Sequence, residues 1–151
     1  MKLETFTEKR RTERIMLPLP VLVKGKESID TCWTENTKLI SVSRSGAGFY
    51  LKNECKIGRL VSLMMALPPR LRCYDIDKEW YCIWGVVQYC TLTADDGEIV
   101  FHVGVAFIGK NAPPSYHENP LQPYRIADMN EDGTWLRKIF PRNAEKEQIN
   151  E

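Results

Sequence analysis

A run of basic residues near the amino terminus is the first feature of this sequence that could bind a ligand. Its four cations lie within six residues and are Lys9, Arg10, Arg11 and Arg14. A planar guanidinium can bond bidentately to a phosphate or to the O6 and N7 edge of guanine, so Arg10 and Arg14 could hold different parts of one anionic ligand. Clusters of this length are also common as solvated arms or nonspecific polyanion sites, and both interpretations stay open on this cluster alone.

A second candidate feature is the stretch 41–48, where small hydroxyl residues and glycines occur as one predicted strand turns into the next. Ser43 could hydrogen-bond a ligand, and Gly46 would let the backbone approach it closely. The same composition is typical of an ordinary hairpin turn. Charge from the first feature and shape from the second would together make a binding site.

Residues for other kinds of chemistry are scarce. There are two histidines, His102 and His117, which excludes a histidine-rich metal site, and no local motif suggests a catalytic triad. None of the five cysteines is spaced as Cys-x-x-Cys, so we expect buried free thiols. The sequence predicts a protein that is not an enzyme and needs no metal or cofactor.

The elements that must position these residues are β-strands. Apolar residues alternate with polar ones between positions 16 and 108, without a long stretch of helical spacing. Six strands are predicted, at 17–23, 37–42, 47–51, 58–67, 80–92 and 99–108. The prolines in the first favour an edge or extended strand, and short antiparallel connections suggest an all-β, six-stranded antiparallel barrel.

The remaining segments are assigned from composition. Residues 1–14 are predicted to be a flexible basic arm and 15–110 the barrel. The proline-rich stretch 110–123 reads as a loop that leaves the barrel. Within 111–140, residues 124–140 are expected to pack back on the barrel as a short helix or extra strand, and 141–151 to be a polar tail. The apolar anchors of that packing would be Trp135, Leu136, Ile139 and Phe140.

Overall composition limits the function further. With 43% hydrophobic and 27% charged residues the chain falls in the soluble globular class. The formal net charge of +1 argues against a surface built wholly for nucleic acid, so any anion site must be local. No apolar run reaches the ~20 residues of a membrane span, and the amino terminus lacks an apolar secretion segment, so we expect a cytoplasmic protein.

Taken together, the two candidate features resemble the PilZ family. That family has Arg-x-x-x-Arg before the first strand and Asp/Asn-x-Ser-x-x-Gly about one strand pair later. Arg10 and Arg14 fit the first element, and Ser43 and Gly46 fit the second, whereas Ser41 stands where an acid or amide is usual. The resemblance extends to three strand segments, 15–21, 84–87 and 102–107.

The resemblance implies a PilZ-type barrel that binds cyclic di-GMP and regulates an unidentified effector protein when the arm folds over the turn. It places the ligand on Lys9, Arg10, Arg11, Arg14, Ser41, Ser43 and Gly46. One serine hydroxyl satisfies less of the guanine edge than a carboxylate, so Ser41 predicts weaker affinity or guanine selectivity. In the family the residue just before the first arginine influences whether one ligand or a stacked pair is held, so the resemblance implies that Lys9 favours the pair.

Two alternatives to the cyclic di-GMP sensor are kept. The first is a PilZ-like adaptor that acts through protein contacts without ligand, which Ser41 supports and the retained arginines oppose. The second is a single-stranded nucleic-acid-binding barrel, supported by the arm and by four tryptophans that could stack on bases. The near-neutral charge counts against it, and we predict no nucleic-acid partner.

Overall fold

The computed structural model of this chain describes residues 14–125, and all structural statements below concern that part. Its strands are β1 (Pro20–Lys26), β2 (Cys32–Val42), β3 (Gly46–Leu51), β4 (Leu60–Met65), β5 (Tyr81–Asp95) and β6 (Glu98–Gly109). A 3-10 helix at Pro69–Leu71 and the α-helix α1 (Pro114–Glu118) complete the regular structure.

The six strands close into an antiparallel barrel in the order β1-β2-β3-β6-β5-β4. The prediction of an all-β, six-stranded antiparallel barrel is therefore confirmed. The prediction that the first strand is an edge strand is wrong, because β1 pairs with β2 on one side and β4 on the other. Pro18 precedes β1 and Pro20 is its first residue, so neither proline removes an amide from the strand interior.

The strand boundaries differ most from expectation in β2. It begins at Cys32 rather than at residue 37, and its first half pairs with β1 through the register Lys26↔Cys32 to Val21↔Thr37. The side chains there are mostly polar and partly exposed, so alternating hydropathy does not reveal the strand. Backbone pairing to a neighbour, rather than burial, holds this half in place.

Side chains that point into the barrel form its core. They include the fully buried Val23, Phe49, Ile83 and Val103, each from a different strand. Alternation along each strand then places the intervening residues on the outer surface. On β3 and β6 these outward positions are largely glycine, alanine or aromatic, which leaves the outer face of these two strands shallow in places.

A second, smaller apolar cluster lies outside the barrel. Tyr116 of α1 is buried there with Leu60, Val86 and Ile108. The stretch 110–123 thus contains a helix that contacts the barrel, where the prolines suggested a loop leaving it. Most of the predicted carboxyl-terminal element at 124–140, with its four anchors, lies outside the described residues. None of the helices within residues 14–125 has the length and apolar character to cross a membrane.

Candidate ligand-binding site

The position of Arg14 is set by a two-residue bridge at the end of β2. The amide of Ile15 donates to the carbonyl of Val42, and the amide of Val42 donates to the carbonyl of Ile15, both at 2.9 Å. Arg14 precedes the bridge on one strand segment and the turn at 43–46 follows it on the other. The bridge therefore brings Arg14, whose side chain is exposed, beside this turn.

The turn at 43–46 is held by its own serines. The amide of Ser43 donates to the carbonyl of Gly46 at 2.9 Å, and the amide of Ser45 donates to the Ser43 hydroxyl at 3.1 Å. The two serine hydroxyls lie 3.2 Å apart. Only 2% of Ser43 is exposed, so the hydroxyl predicted to bind ligand also fixes the shape of the turn.

Gly46 is required by the packing of β3 against β6. A Cβ atom at this position would lie 2.5 Å from the carbonyl oxygen of Val105, a distance that real side chains do not tolerate. The glycine therefore permits a close approach between two strands. The motif predicts that Gly46 lets the backbone approach a ligand, and its packing against Val105 is a second, structural reason for a glycine here.

Arg14 and the turn form one side of a groove on the outer face of the barrel, with a volume of about 270 Å³. We call it the Arg14 groove. Its lining consists of Arg14, Ser45, Gly46, Ala47, Gln88, Tyr89, Gly104, Val105 and Ala106. Small-molecule pockets commonly measure roughly 300–1,000 Å³. The groove is just below the small end of this range, so it would enclose only part of a ligand as large as a dinucleotide.

Tyr89 supplies the aromatic surface of the Arg14 groove. Its ring lies on Gly104, where an added Cβ would come within 2.1 Å of the tyrosine Cε2. A register shift between Val87 and Tyr89 turns the tyrosine outward, whereas strict alternation from the buried Val87 would have turned it into the core. No pattern in the sequence indicates this bulge, so alternating hydropathy does not predict that Tyr89 faces the site.

Ser41 lies on the same outer face as Tyr89, and β3 and β6 separate their two strands in the barrel. It pairs with Gly48 of β3, and 9% of the residue is exposed. His102 of β6 lies between two tyrosines, with ring centroids 5.4 Å from Tyr50 and 5.2 Å from Tyr89. Alternation along the predicted strand at 99–108 places His102 on the outer face, but neither sequence motif includes this residue.

The structure therefore brings together some of the predicted residues. Arg14, Gly46 and the Ser43 turn meet at the Arg14 groove, and Ser41 lies on the adjacent surface. Lys9, Arg10 and Arg11 lie outside the described residues. Within residues 14–125 no group of three or more histidine, cysteine, aspartate or glutamate side chains is arranged to hold a metal ion.

A larger cavity of about 340 Å³ lies at the opposite end of the barrel, near the start of β2. Trp33, Lys56 and Arg59 are among its lining residues, and none of the predicted site residues contributes to it. Both cations and anions line this cavity, since Glu27 and Glu54 face it as well. The Arg14 groove is the smaller of the two but combines the predicted residues.

Comparison with known proteins gives matches among solved structures. No family model and no curated protein matches the chain. The Bacillus subtilis inhibitor of motility MotI/DgrA matches at 15% identity over 94% of this chain and 52% of its own, with a TM-score of 0.47. The Escherichia coli YcgR PilZ domain with c-di-GMP matches at 16% identity, covering 73% and 84%, with a TM-score of 0.47.

A third structure, the K. pneumonia MrkH complex with c-di-GMP, matches at 14% identity over 94% of this chain and 55% of its own, with a TM-score of 0.46. The chain thus spans about half the length of the MotI/DgrA and MrkH structures. The solved structures that match this chain include PilZ domains, one of them the YcgR domain above.

Proposed function

We propose that this protein is a cyclic di-GMP-binding sensor or adaptor, and that the ligand binds at the Arg14 groove. The observation that carries the proposal is the bridge between Ile15 and Val42, which sets Arg14 of the Arg-x-x-x-Arg motif beside the Ser-x-x-Gly turn. Arg14 and the Ser-x-x-Gly turn, which a strand pair separates in the sequence, are adjacent at one groove, as a shared ligand requires.

The chemistry of the groove suits a guanine nucleotide. The guanidinium of Arg14 can form charge-assisted, bidentate hydrogen bonds to a phosphate or to a guanine edge. The exposed ring of Tyr89 offers a face for stacking, which contributes roughly 1–3 kcal/mol per base in other proteins. Arg10, four positions upstream on the arm, would supply the second guanidinium for a ligand with two phosphates. In this proposal Lys9 and Arg11 add further positive charge.

The response to ligand would be ordering of the basic arm over the groove. A ligand shifts such an equilibrium only if it binds the two states with unequal affinity, and contacts made by the arm provide that difference. The ordered arm would create or cover a surface for an effector protein in the cytoplasm. Binding and change of shape, rather than catalysis, are the proposed activity.

Calorimetric titration of the purified chain with cyclic di-GMP tests the proposal. We expect saturable binding that is tighter than for GMP, GTP or cyclic di-AMP. Absence of heat up to millimolar ligand would contradict the proposal and favour an adaptor that works without ligand. Tighter binding of a single-stranded oligonucleotide than of cyclic di-GMP would instead favour the nucleic-acid-binding alternative.

A further inference from the structure

Three polar atoms from three different strands converge on the space above Gly48. Measured from the position that a Cβ atom would occupy there, Ser41 Oγ lies at 3.4 Å, Tyr89 Oη at 3.6 Å and His102 Nε2 at 3.7 Å. The three side chains stand on β2, β5 and β6, and Gly48 on β3 is the floor between them. The missing side chain of Gly48 thus leaves a small space bordered by hydrogen-bonding groups.

The hydroxyl of Ser41 is aimed at this space and is nine-tenths buried. Among residues 14–125 no side chain or backbone group forms a hydrogen bond with it, and the same part of the chain offers none to Tyr89 Oη or His102 Nε2. Buried polar side chains are in the great majority hydrogen-bonded in folded proteins. An unpaired buried hydroxyl beside two further unpaired polar atoms therefore indicates a place for a polar ligand group.

We propose that Ser41, Tyr89 and His102 form a subsite that recognises the hydrogen-bonding edge of a guanine base. This inference rests on the proposed function and adds Tyr89 and His102, which lie outside both sequence motifs, as specificity-determining residues. Tyr89 also lines the Arg14 groove, so the subsite and the groove are continuous through this one side chain. A nucleotide phosphate near Arg14 and its base near Gly48 would occupy both.

The donor and acceptor types of the three groups suit guanine. A guanine edge presents two donors, N1–H and the 2-amino group, beside the O6 acceptor. Serine and tyrosine hydroxyls each donate or accept, and a neutral imidazole accepts at Nε2 when its proton is on Nδ1. An adenine edge has an acceptor at N1 and a donor at N6, which reverses this order. Three side chains would together perform the role that one carboxylate or amide at position 41 has in the family pattern.

The strands hold this arrangement in a fixed geometry. The Tyr89 ring is confined by its contact with Gly104, and the His102 ring packs between Tyr50 and Tyr89. Subsites built on paired strands keep their groups in place better than loops do. Little side-chain ordering would therefore accompany binding, in contrast with the ordering of the arm.

The principal test is Gly48→Ala, measured by titration with cyclic di-GMP and cyclic di-AMP. The added methyl would be in ordinary van der Waals contact with all three polar atoms, so the barrel should fold. The same methyl would occupy the proposed subsite and exclude a ligand group from it. We expect affinity for cyclic di-GMP to fall more than tenfold and the preference over cyclic di-AMP to shrink. Tyr89→Phe and Ser41→Ala, which delete single hydroxyls, should each weaken cyclic di-GMP binding about fivefold to tenfold.

Tyr50→Phe is the matched control. It deletes a tyrosine hydroxyl next to His102, on the side away from Tyr89, and this hydroxyl is not one of the three converging atoms. It should bind like the parent. If the parent binds cyclic di-GMP and Tyr89→Phe and Gly48→Ala bind equally well, the subsite is wrong while the proposed function stands. Equal weakening for cyclic di-GMP and cyclic di-AMP would likewise overturn guanine recognition. Failure of the parent to bind would refute the proposed function and the subsite together.

Discussion

Ile15 and Val42 exchange two backbone hydrogen bonds, both 2.9 Å long, at the end of β2. Since Arg14 precedes one member of the pair and the turn at 43–46 follows the other, this bridge places Arg14 beside the turn. The amide of Leu39 donates to the carbonyl of Leu19 at 2.8 Å and extends the attachment. The position of Arg14 therefore depends on the main chain more than on its own side-chain contacts.

Loss of the bridge should weaken ligand binding without removing any charge. Ile15→Pro deletes the amide that donates to Val42, and a single hydrogen bond contributes roughly 0.5–1.5 kcal/mol. We expect cyclic di-GMP to bind up to about tenfold more weakly, as measured by calorimetry. Ile15→Val keeps the amide and a β-branched side chain and is the control. Equal affinities for the two variants would show that the bridge does not position the arm.

The two motif arginines should matter for binding and not for stability. Arg10→Ala and Arg14→Ala are each expected to reduce cyclic di-GMP affinity by roughly 1.5–3 kcal/mol, the range for hydrogen bonds to charged groups, with a nearly unchanged Tm. Arg70→Ala removes an exposed arginine that does not line the Arg14 groove and is the matched control. Parent-like binding by both motif variants would place the ligand elsewhere.

The strand pattern of the barrel is largely predictable from the sequence because most strands have one buried face. The hairpin between β5 and β6 is an example, since Asp96 and Gly97 both adopt positive φ, at 53° and 83°, as a two-residue type I′ turn requires. The dipeptide Asp-Gly predicts this turn. The first half of β2 escapes prediction because its polar side chains carry no alternating signal.

The candidate site is less predictable because it depends on contacts between distant segments. The motifs indicate Arg14 and the turn, but the pairing of Ile15 with Val42 is non-local and leaves no pattern in the sequence. Tyr89 is turned outward by one irregular residue in β5. The polarity of Ser43 predicts an exposed turn residue. In the structure Ser43 is buried, and its hydroxyl forms hydrogen bonds within the turn. Side-chain direction at such places follows from local backbone geometry.

Arg72 is expected to be the main stabilising residue of the connection at 66–80. It is 4% exposed, and its guanidinium donates to the carbonyls of Leu67, Asp75, Lys78 and Glu79 at 2.6–3.1 Å. Lysine cannot span this set with one ammonium group and would leave buried carbonyls unpaired. Arg72→Lys should lower the free energy of unfolding by about 2–4 kcal/mol in urea titrations. Arg70→Lys, two residues away and exposed, should change it little; similar losses in both variants would contradict this role.

The buried thiol of Cys55 should make the fold sensitive to alkaline pH. Burial raises the pKa of this thiol from 9.0 to about 12. Between these values the unfolded chain loses the proton and the folded chain keeps it, so stability is complete below pH 9 and falls as pH rises toward 12. One such proton corresponds to about 1.4 kcal/mol per pH unit.

Urea titrations between pH 8 and pH 11 can isolate this contribution. Burial also raises the pKa of Tyr81 to about 12, so part of the pH dependence should persist when the thiol is removed. We expect Cys55→Ala to be less stable than the parent at pH 8 but to lose stability less steeply above pH 9. Parallel curves for the two proteins would show that Cys55 titrates normally in the folded state.

Ser41→Asp should strengthen cyclic di-GMP binding, because a carboxylate accepts two hydrogen bonds from the guanine edge and charge-assisted bonds are stronger than neutral ones. The expected gain is about 1 kcal/mol, opposed by repulsion between the new charge and the ligand phosphates. Ser41→Asn, which keeps an acceptor without charge, is the control. We expect Asp to bind at least as tightly as Asn and both to exceed the parent, with little change for cyclic di-AMP.

If Asp restores recognition of the guanine edge, Tyr89→Phe should weaken binding less in the Ser41→Asp background than in the parent, which a double-mutant cycle measures. Weaker cyclic di-GMP binding by both position-41 variants would show that the serine belongs to a differently arranged pocket.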